Sequence, residues 1–217
     1  MSETSKLEKF AEIKYFLLII SYTLLLDIYL LYNSDINVTK LKMNYLKENL
    51  GTFLIFLCLF SFYITILTKF IITLFTMLFE IFKIKKNINK YNIEYYKLLT
   101  KSFVENNSVM YKYSQDKIKE EKNIFEGITL YYGMIVLFIF DLTYHNDSII
   151  RLLVNKFYCL LQIDNTVLSM FALIIAFITI LLMTVFPIIL LKDYISEKNL
   201  IRINNLIKQN ILNKKYK

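Results

Sequence analysis

Four long apolar runs constrain this chain more than any other feature of its sequence. They are Tyr15–Tyr32, Thr52–Phe82, Ile128–His145 and Thr166–Leu191. A helix needs roughly 20 mostly apolar residues to cross the roughly 30 Å hydrocarbon layer of a bilayer. In lipid only helices and closed barrels satisfy every backbone polar group, and these runs lack the alternation of barrel strands. The sequence therefore predicts an all-α, polytopic membrane protein with four transmembrane helices.

The composition excludes most catalytic machinery. The 217 residues include only three glycines, one histidine and two cysteines, which excludes Gly-rich phosphate loops, most multi-ligand zinc sites and a disulfide framework. The sequence shows no pairing of a nucleophile with a base and no cluster of metal ligands. We therefore expect a protein that is not an enzyme and that has no catalytic residues, no metal and no cofactor.

The basic residues predict the orientation in the membrane. The net charge is +8, and 20 of the 26 Lys and Arg residues lie before the first run, between the second and third runs, or after the fourth. Cytoplasmic loops carry the excess of Lys and Arg, so we expect both termini and the middle loop in the cytoplasm of a bacterial inner membrane. Because the charge is spread between apolar runs, we expect no direct specific binding of nucleic acid.

Four segments follow from these boundaries. Residues 1–82 hold transmembrane helices 1 and 2, residues 83–127 a cytoplasmic helical hairpin, residues 128–191 helices 3 and 4, and residues 192–217 a basic amphipathic tail. In the hairpin, apolar residues recur every three or four positions from Ile84 to Phe103, and a second such pattern follows the turn signal Asn106-Asn107-Ser108.

The hairpin and the tail are the expected contacts with a cytosolic protein partner. Neither arm of the hairpin can bury its apolar stripe alone, so each needs the other arm, another protomer or a partner. The residues that we expect to bind the partner are Tyr91, Tyr95, Leu99, Phe103 and Tyr113. The tail has its own apolar stripe beginning at Leu200, and it either lies on anionic lipid or packs against the hairpin.

Residues 148–163 allow two interpretations. Their apolar positions recur at helical spacing, with Arg151 and Lys156 on the opposite face. A fifth crossing here would place the basic C-terminus outside the cell. We prefer an amphipathic helix on the outer surface of the membrane.

The second run carries a polar face. At 100° per residue, polar side chains project onto less than half of the helix circumference. They are Ser61, Thr65, Thr68, Lys69, Thr73, Thr76 and Glu80, together with Cys58. Three interpretations remain open. The hydroxyls bond carbonyls of their own helix while Lys69 reaches the inner headgroups, or the face is a helix–helix or homo-oligomer interface, or it lines a conducting path.

Two acids lie at a common depth near the outer ends of their helices. Asp27 interrupts the first run and Asp141 the third, and His145 stands one turn beyond Asp141, within hydrogen-bonding reach. Two such acids could bind a cation or relay a proton. In the simpler interpretation each carboxylate reaches the outer interface or pairs with Arg151.

The fourth run has a stripe of small residues and a proline. Ser169, Ala172 and Ala176 share one face, and small residues let helices approach closely. We expect this stripe to pack against another helix. Pro187 is expected to kink or end the span.

The four runs and their topology resemble two families. One is the membrane subunit of the Kiwa anti-phage defence system, a small four-span protein that works with a cytosolic DNA-binding partner. The other is the colicin A-type immunity proteins, which have four spans and internal termini. The resemblance covers Tyr15–Tyr32, Thr52–Phe82, Ile128–His145 and Thr166–Leu191, and no shorter motif accompanies it. The first resemblance implies an oligomeric sensor or anchor that recruits a cytosolic effector in antiviral defence, and the second implies a protein that blocks a pore-forming toxin. A small ion channel or holin-like pore is the third alternative.

Overall fold

A computed structural model describes residues 3–81, 92–162, 166–197 and 200–202 of the chain. Within these ranges the protein is almost entirely helical. A turn of 3-10 helix spans Val38–Lys40, and a π-helical turn spans Tyr63–Leu67. The α-helices are α1 (Glu3–Ser34), α2 (Met43–Glu48), α3 (Leu50–Phe62), α4 (Thr68–Ile81), α5 (Tyr95–Val104), α6 (Ser108–Tyr144), α7 (Ile149–Leu161) and α8 (Thr166–Glu197).

Four segments of the described chain are long and apolar enough to cross a membrane. They are Ile13–Ser34, Leu50–Leu78, Ser108–Tyr144 and Val167–Lys192. Each contains or overlaps one of the four apolar runs of the sequence. The predicted fold class, a helical multi-pass membrane protein with four spans, is thereby confirmed.

The chain divides into two compact units, of which the first contains most of the apolar length. It comprises Met1–Met77 and Gly127–Ile189. Its buried core is built mainly from α1 and α6, joined by the π-turn and by the start of α7. The core residues are Leu17, Leu24, Tyr63, Leu130, Met134, Leu137 and Ile150.

A second apolar cluster in this unit joins α1 to α3. Phe56 is fully buried there beside Leu26 and Leu30. The ring of Tyr22 meets the ring of Phe56 edge-on, with centroids 5.2 Å apart, a favourable geometry for aromatic pairs. The hydroxyl of Tyr29 donates a hydrogen bond to the carbonyl of Thr52, at 2.9 Å.

The second unit comprises Leu78–Glu126 and Leu190–Lys217. Two three-residue strands, β1 (Asn92–Glu94) and β2 (Leu200–Arg202), pair antiparallel in it, with Ile93 opposite Ile201. The ring of Phe125 on α6 packs against the ring of Tyr194 on α8, with centroids 5.5 Å apart. Burial, together with the nearby carboxylate of Glu121, raises the pKa of Tyr194 to about 12, so its hydroxyl keeps its proton at neutral pH.

Two sequence predictions are wrong in this unit. The first arm of the hairpin was expected to be helical from Ile84 to Phe103, but Asn92–Glu94 is strand β1 and α5 begins at Tyr95, while residues 82–91 lie outside the described residues. The tail was expected to be helical from Leu200, but Leu200–Arg202 is strand β2. The physical reason is the pairing of β1 with β2, a contact between residues more than a hundred positions apart that local periodicity cannot show. Tyr91 and residues 203–217, which hold the rest of the predicted tail, lie outside the described residues.

The helix α7 is too short to cross a membrane. Its 13 residues extend about 20 Å at 1.5 Å per residue, against a hydrocarbon layer of about 30 Å. Its length therefore favours an amphipathic surface helix over a fifth crossing. Pro187, expected to kink or end its span, lies inside α8, which continues to Glu197.

Candidate functional site

Four fully buried polar side chains meet at the N-terminus of α7. Asp27, Asn37, Asp141 and Ser148 are each at most 1% exposed, and we call them the capping cluster. They come from α1, from the segment before the 3-10 turn, from α6, and from the residue preceding α7. Burial of polar groups is costly unless they are hydrogen-bonded, so the partners of each atom decide what the cluster does.

The cluster caps the first turn of α7. The first N–H groups of a helix have no partner inside the helix. In α7, the N–H of Ile149 donates to Oδ2 of Asp27 at 2.9 Å, and the N–H of Ile150 donates to Oδ2 of Asp141 at 2.9 Å. Ser148 is the N-cap residue, and its hydroxyl oxygen accepts the N–H of Arg151 at 3.4 Å. Three side chains from three parts of the chain thus satisfy three successive backbone donors.

The same cluster holds the loop after α1. The other oxygen of Asp27, Oδ1, accepts the N–H of Val38 at 2.7 Å. The side-chain amide of Asn37 donates to the carbonyl of Asp147 at 3.0 Å, and its oxygen accepts the N–H of Lys40 at 3.1 Å. The loop between α1 and α2 is therefore tied to the loop between α6 and α7.

One oxygen of the cluster has no donor. Oδ1 of Asp141 is buried without a hydrogen-bond partner, although the Asp141 carboxyl group lies within interaction distance of Asp27 and Ser148. Within the described part of the chain, neither acid forms an ion pair with a basic side chain. Two carboxyl groups are thus buried side by side, with backbone N–H groups and a neighbouring hydroxyl around them.

The structure contradicts one of the two interpretations of the acids. In that simpler interpretation each carboxylate reaches the outer interface or pairs with Arg151, but both are completely buried because the α7 N-terminus and the 3-10 turn cover them. His145 was expected to lie within reach of Asp141, but its Nδ1 instead accepts the N–H of Asp147 at 3.2 Å. The reason is that α6 ends at Tyr144, so His145 no longer follows the helical i, i+4 geometry.

The polar face of the second span is divided by the π-turn. The N–H of Thr68 bonds the carbonyl of Tyr63, so these two residues, five apart, both point into the bundle and are buried. A uniform 100° projection misplaces residues across such a turn, because one inserted residue rotates the register by roughly 100°. Thr68 faces the core, whereas four other members of the predicted face are exposed: Ser61, Thr65, Lys69 and Thr73.

The hydroxyls of this face bond their own helix. Thr65 donates to the carbonyl of Ser61 and Thr73 to that of Lys69, both at 2.7 Å. Thr76, which is half-buried, donates to the carbonyl of Thr73 at 2.8 Å. Lys69 itself has no hydrogen-bond or ion-pair partner within the described residues. The side chain of Glu80 lies outside the described residues.

A close approach between α4 and α6 was missed in the sequence. A Cβ added to Gly133 would lie 2.6 Å from Cγ2 of Thr68 and 3.3 Å from the hydroxyl of Tyr63. That hydroxyl donates to the carbonyl of Gly133 at 2.7 Å. The available signal was an isolated glycine inside a helical apolar run, which often has a packing reason.

The small-residue stripe of α8 is partly covered. Ala172 is 4% exposed, and Ser169 and Ala176 are half-buried. Further along, α6 binds α8 through the hydroxyl of Tyr132, which donates to the carbonyl of Pro187 at 2.9 Å. Most of the surface of α8 is nonetheless exposed in the single chain, because only 6% of its most apolar window is buried.

The residues expected to bind a partner differ widely in exposure. Phe103 is 67% exposed and Tyr113 46% exposed, whereas Leu99 is half-buried. The side chain of Tyr95 lies outside the described residues, as does Tyr91 entirely. The sequence analysis missed Val104 and Val109, which flank the turn between α5 and α6 and are 81% and 76% exposed.

Comparison with protein-family models, with curated proteins and with solved structures gave no match. Among the described residues, no group of three or more His, Cys, Asp or Glu side chains is placed to hold a metal ion. Inferences about function therefore depend on the geometry of the chain itself.

Proposed function

We propose that this protein is a non-enzymatic, homo-oligomeric protein of the bacterial inner membrane that holds and regulates a cytosolic effector. Its four spans supply the anchor. Lys and Arg are in excess before the first span, in residues 83–127 and after the fourth span. This distribution supports cytoplasmic termini and a cytoplasmic middle segment. The topological resemblance to the Kiwa membrane subunit favours a role in antiviral defence.

The observation that carries this proposal is an exposed apolar surface at the α5–α6 turn. Phe103, Val104 and Val109, which we call the turn patch, are each at least 67% exposed. Exposed apolar patches bordered by polar residues mark interaction sites. The turn patch lies in the segment that the positive-inside rule assigns to the cytoplasm, where a soluble effector would meet it.

A matched pair of double variants tests the recruitment. Val104→Ser with Val109→Ser removes most of the turn patch. The control, Lys112→Ser with Lys119→Ser, replaces two exposed residues of α6 by the same amino acid. The expected result is that the protein encoded beside this one co-purifies with the wild type and the lysine variant, and not with the valine variant. Equal recovery with both variants, or no recovery with the wild type, would contradict the proposal.

The exposed face of α4 supports the oligomer. A lysine inside a span costs about 2.5–3.5 kcal/mol at the bilayer centre unless it faces protein, water or the headgroups, and Lys69 is exposed in the single chain. Lys69→Leu is therefore expected to lower the oligomer mass measured in mild detergent. Phe70→Leu is the control, because Phe70 is an exposed neighbour without charge. An unchanged mass for Lys69→Leu would contradict this interface.

The second candidate function is a membrane immunity protein. It is favoured by the two most open spans, since only 11% of the most apolar window of Leu50–Leu78 and 6% of that of Val167–Lys192 are buried within the chain. Such surfaces suit the binding of a toxin inside the bilayer. Deletion of Lys90–Lys122 distinguishes the two functions, because it abolishes effector recruitment in the first case and leaves toxin protection intact in the second.

A further inference from the structure

With both of its acids ionised, the capping cluster would bury more negative charge than its surroundings neutralise. Asp27 and Asp141 are both fully buried and adjacent. The N-terminus of α7 supplies the equivalent of about half a positive charge, against two carboxylates. The basic residues that follow the acids most closely along the chain are Lys40, His145 and Arg151, and none of their side chains pairs with either acid in the described structure.

The vacant acceptor is Oδ1 of Asp141. Both oxygens of Asp27 accept backbone N–H groups, from Val38 and Ile149, and Oδ2 of Asp141 accepts that of Ile150. Oδ1 of Asp141 alone is buried without a hydrogen-bond partner, although the hydroxyl of Ser148 lies close to the Asp141 carboxyl group. An ionised oxygen in that position is costly unless a positive charge reaches it.

We propose that Asp27 and Asp141 form a binding site for one monovalent cation, a proton or an alkali-metal ion, held at Oδ1 of Asp141 beside the Asp27 carboxyl group. The two sources share one chemistry, a single positive charge placed between two carboxylates. Binding this charge secures the cap of α7, and its loss leaves two like charges repelling each other beneath the helix. The site does not depend on the proposed function.

The two acids have different roles in this site, and the difference can be tested. In Asp141→Asn the new amide can donate toward Asp27 while its oxygen still accepts the N–H of Ile150, so the variant imitates the neutralised pair. In Asp27→Asn one of two backbone donors, from Val38 or Ile149, would face the amide nitrogen. Asp141→Asn should therefore fold normally, and Asp27→Asn should melt at a lower temperature.

The experiment is a set of melting temperatures of the purified full-length protein in dodecylmaltoside. One series varies the pH from 5.5 to 8.5 in choline chloride, and the other varies sodium or potassium chloride at constant pH and ionic strength. By mass action, the wild type should gain about 3–6 °C for each tenfold increase in the bound cation. A response to pH alone identifies the proton, and a response to sodium or potassium identifies the alkali-metal ion.

Two variants make the result decisive. Asp141→Asn should abolish the response, whereas Asp116→Asn, at an exposed acid on the same helix, should leave it as in the wild type. A wild type that responds no more than Asp141→Asn in either series would overturn the proposal. So would a response that Asp116→Asn also abolishes, or an Asp27→Asn variant as stable as Asp141→Asn.

Discussion

The close approach of α4 and α6 at Gly133 gives the sharpest test of how the spans pack. Replacing glycine by alanine inside a helix ordinarily stabilises it by about 1 kcal/mol. At Gly133 the new Cβ would lie 2.6 Å from Cγ2 of Thr68, well inside van der Waals contact, and Thr68 is β-branched and buried. Overpacking of this kind costs about 1–3 kcal/mol, so Gly133→Ala should cancel or reverse the gain in helix propensity.

Gly51 is the matched control. It also lies in a helix, and a Cβ added there would meet nothing within 4 Å. Each variant changes the free energy of unfolding, and the difference between the changes for Gly133→Ala and Gly51→Ala isolates the cost of overpacking. That cost is about 1–3 kcal/mol, or about 2–12 °C in melting temperature for a chain of this size. The assay is the fraction of GFP-tagged protein that stays monodisperse in size-exclusion chromatography after heating in detergent.

A second substitution tests the cause. Thr68→Ser removes Cγ2 and keeps the hydroxyl that donates to the carbonyl of Ile64 at 2.7 Å. In a double-mutant cycle, Thr68→Ser should restore most of the stability lost in Gly133→Ala. If Gly133→Ala stabilises the protein as much as Gly51→Ala does, or if Thr68→Ser rescues nothing, α4 and α6 are not packed as closely as described.

Three further predictions concern single side chains. Tyr63→Phe loses the hydrogen bond to the carbonyl of Gly133 and should cost about 0.5–1.5 kcal/mol, measured by the same thermal assay. Phe56→Ala removes a fully buried ring and should cost about 3–5 kcal/mol, which retention of the wild-type melting temperature would contradict. Both native cysteines are exposed and free, but Cys58 lies about 12 Å into its span, whereas Cys159 lies on α7. A membrane-impermeant maleimide should therefore label Cys159 on intact spheroplasts and spare Cys58, and labelling of Cys159 only in inverted vesicles would place α7 on the cytoplasmic side.

The sequence predicted the features that depend on short stretches of chain. The four spans could be read from composition and length, because crossing a bilayer requires about 20 apolar residues in succession whatever their partners. The sequence also placed Asp27 and Asp141 at a similar level of their helices, and the two carboxyl groups do lie close together. Their partners could not, because the N–H of Ile149 lies 122 residues from Asp27 and a helix cap between distant segments leaves no periodic pattern.

The remaining errors have a similar origin. The π-turn at Tyr63–Leu67 shifts the helical register and so changes which members of the polar face meet the bundle, yet its residues are ordinary span residues. Strand β2 pairs with β1 across about half of the chain's length, whereas local spacing favoured helix at both places. Ser148 offered a usable signal, since a serine directly before an apolar periodic segment is a typical N-cap.

The capping cluster makes α7 a joint between the first and third spans. Asp27 on α1 and Asp141 on α6 hold successive N–H groups of α7, and Ile150 of α7 is buried in the core that both spans share. Moving α7 away would leave those N–H groups and the carboxylate oxygens that accept them without partners, at about 1–3 kcal/mol for each group that stays buried. Small displacements of α7 are therefore resisted. The helix should either stay capped by the two acids or separate from them as a whole. Loss of the cation from the acid pair would favour the second state, and because both spans contact the same helix, they would respond together.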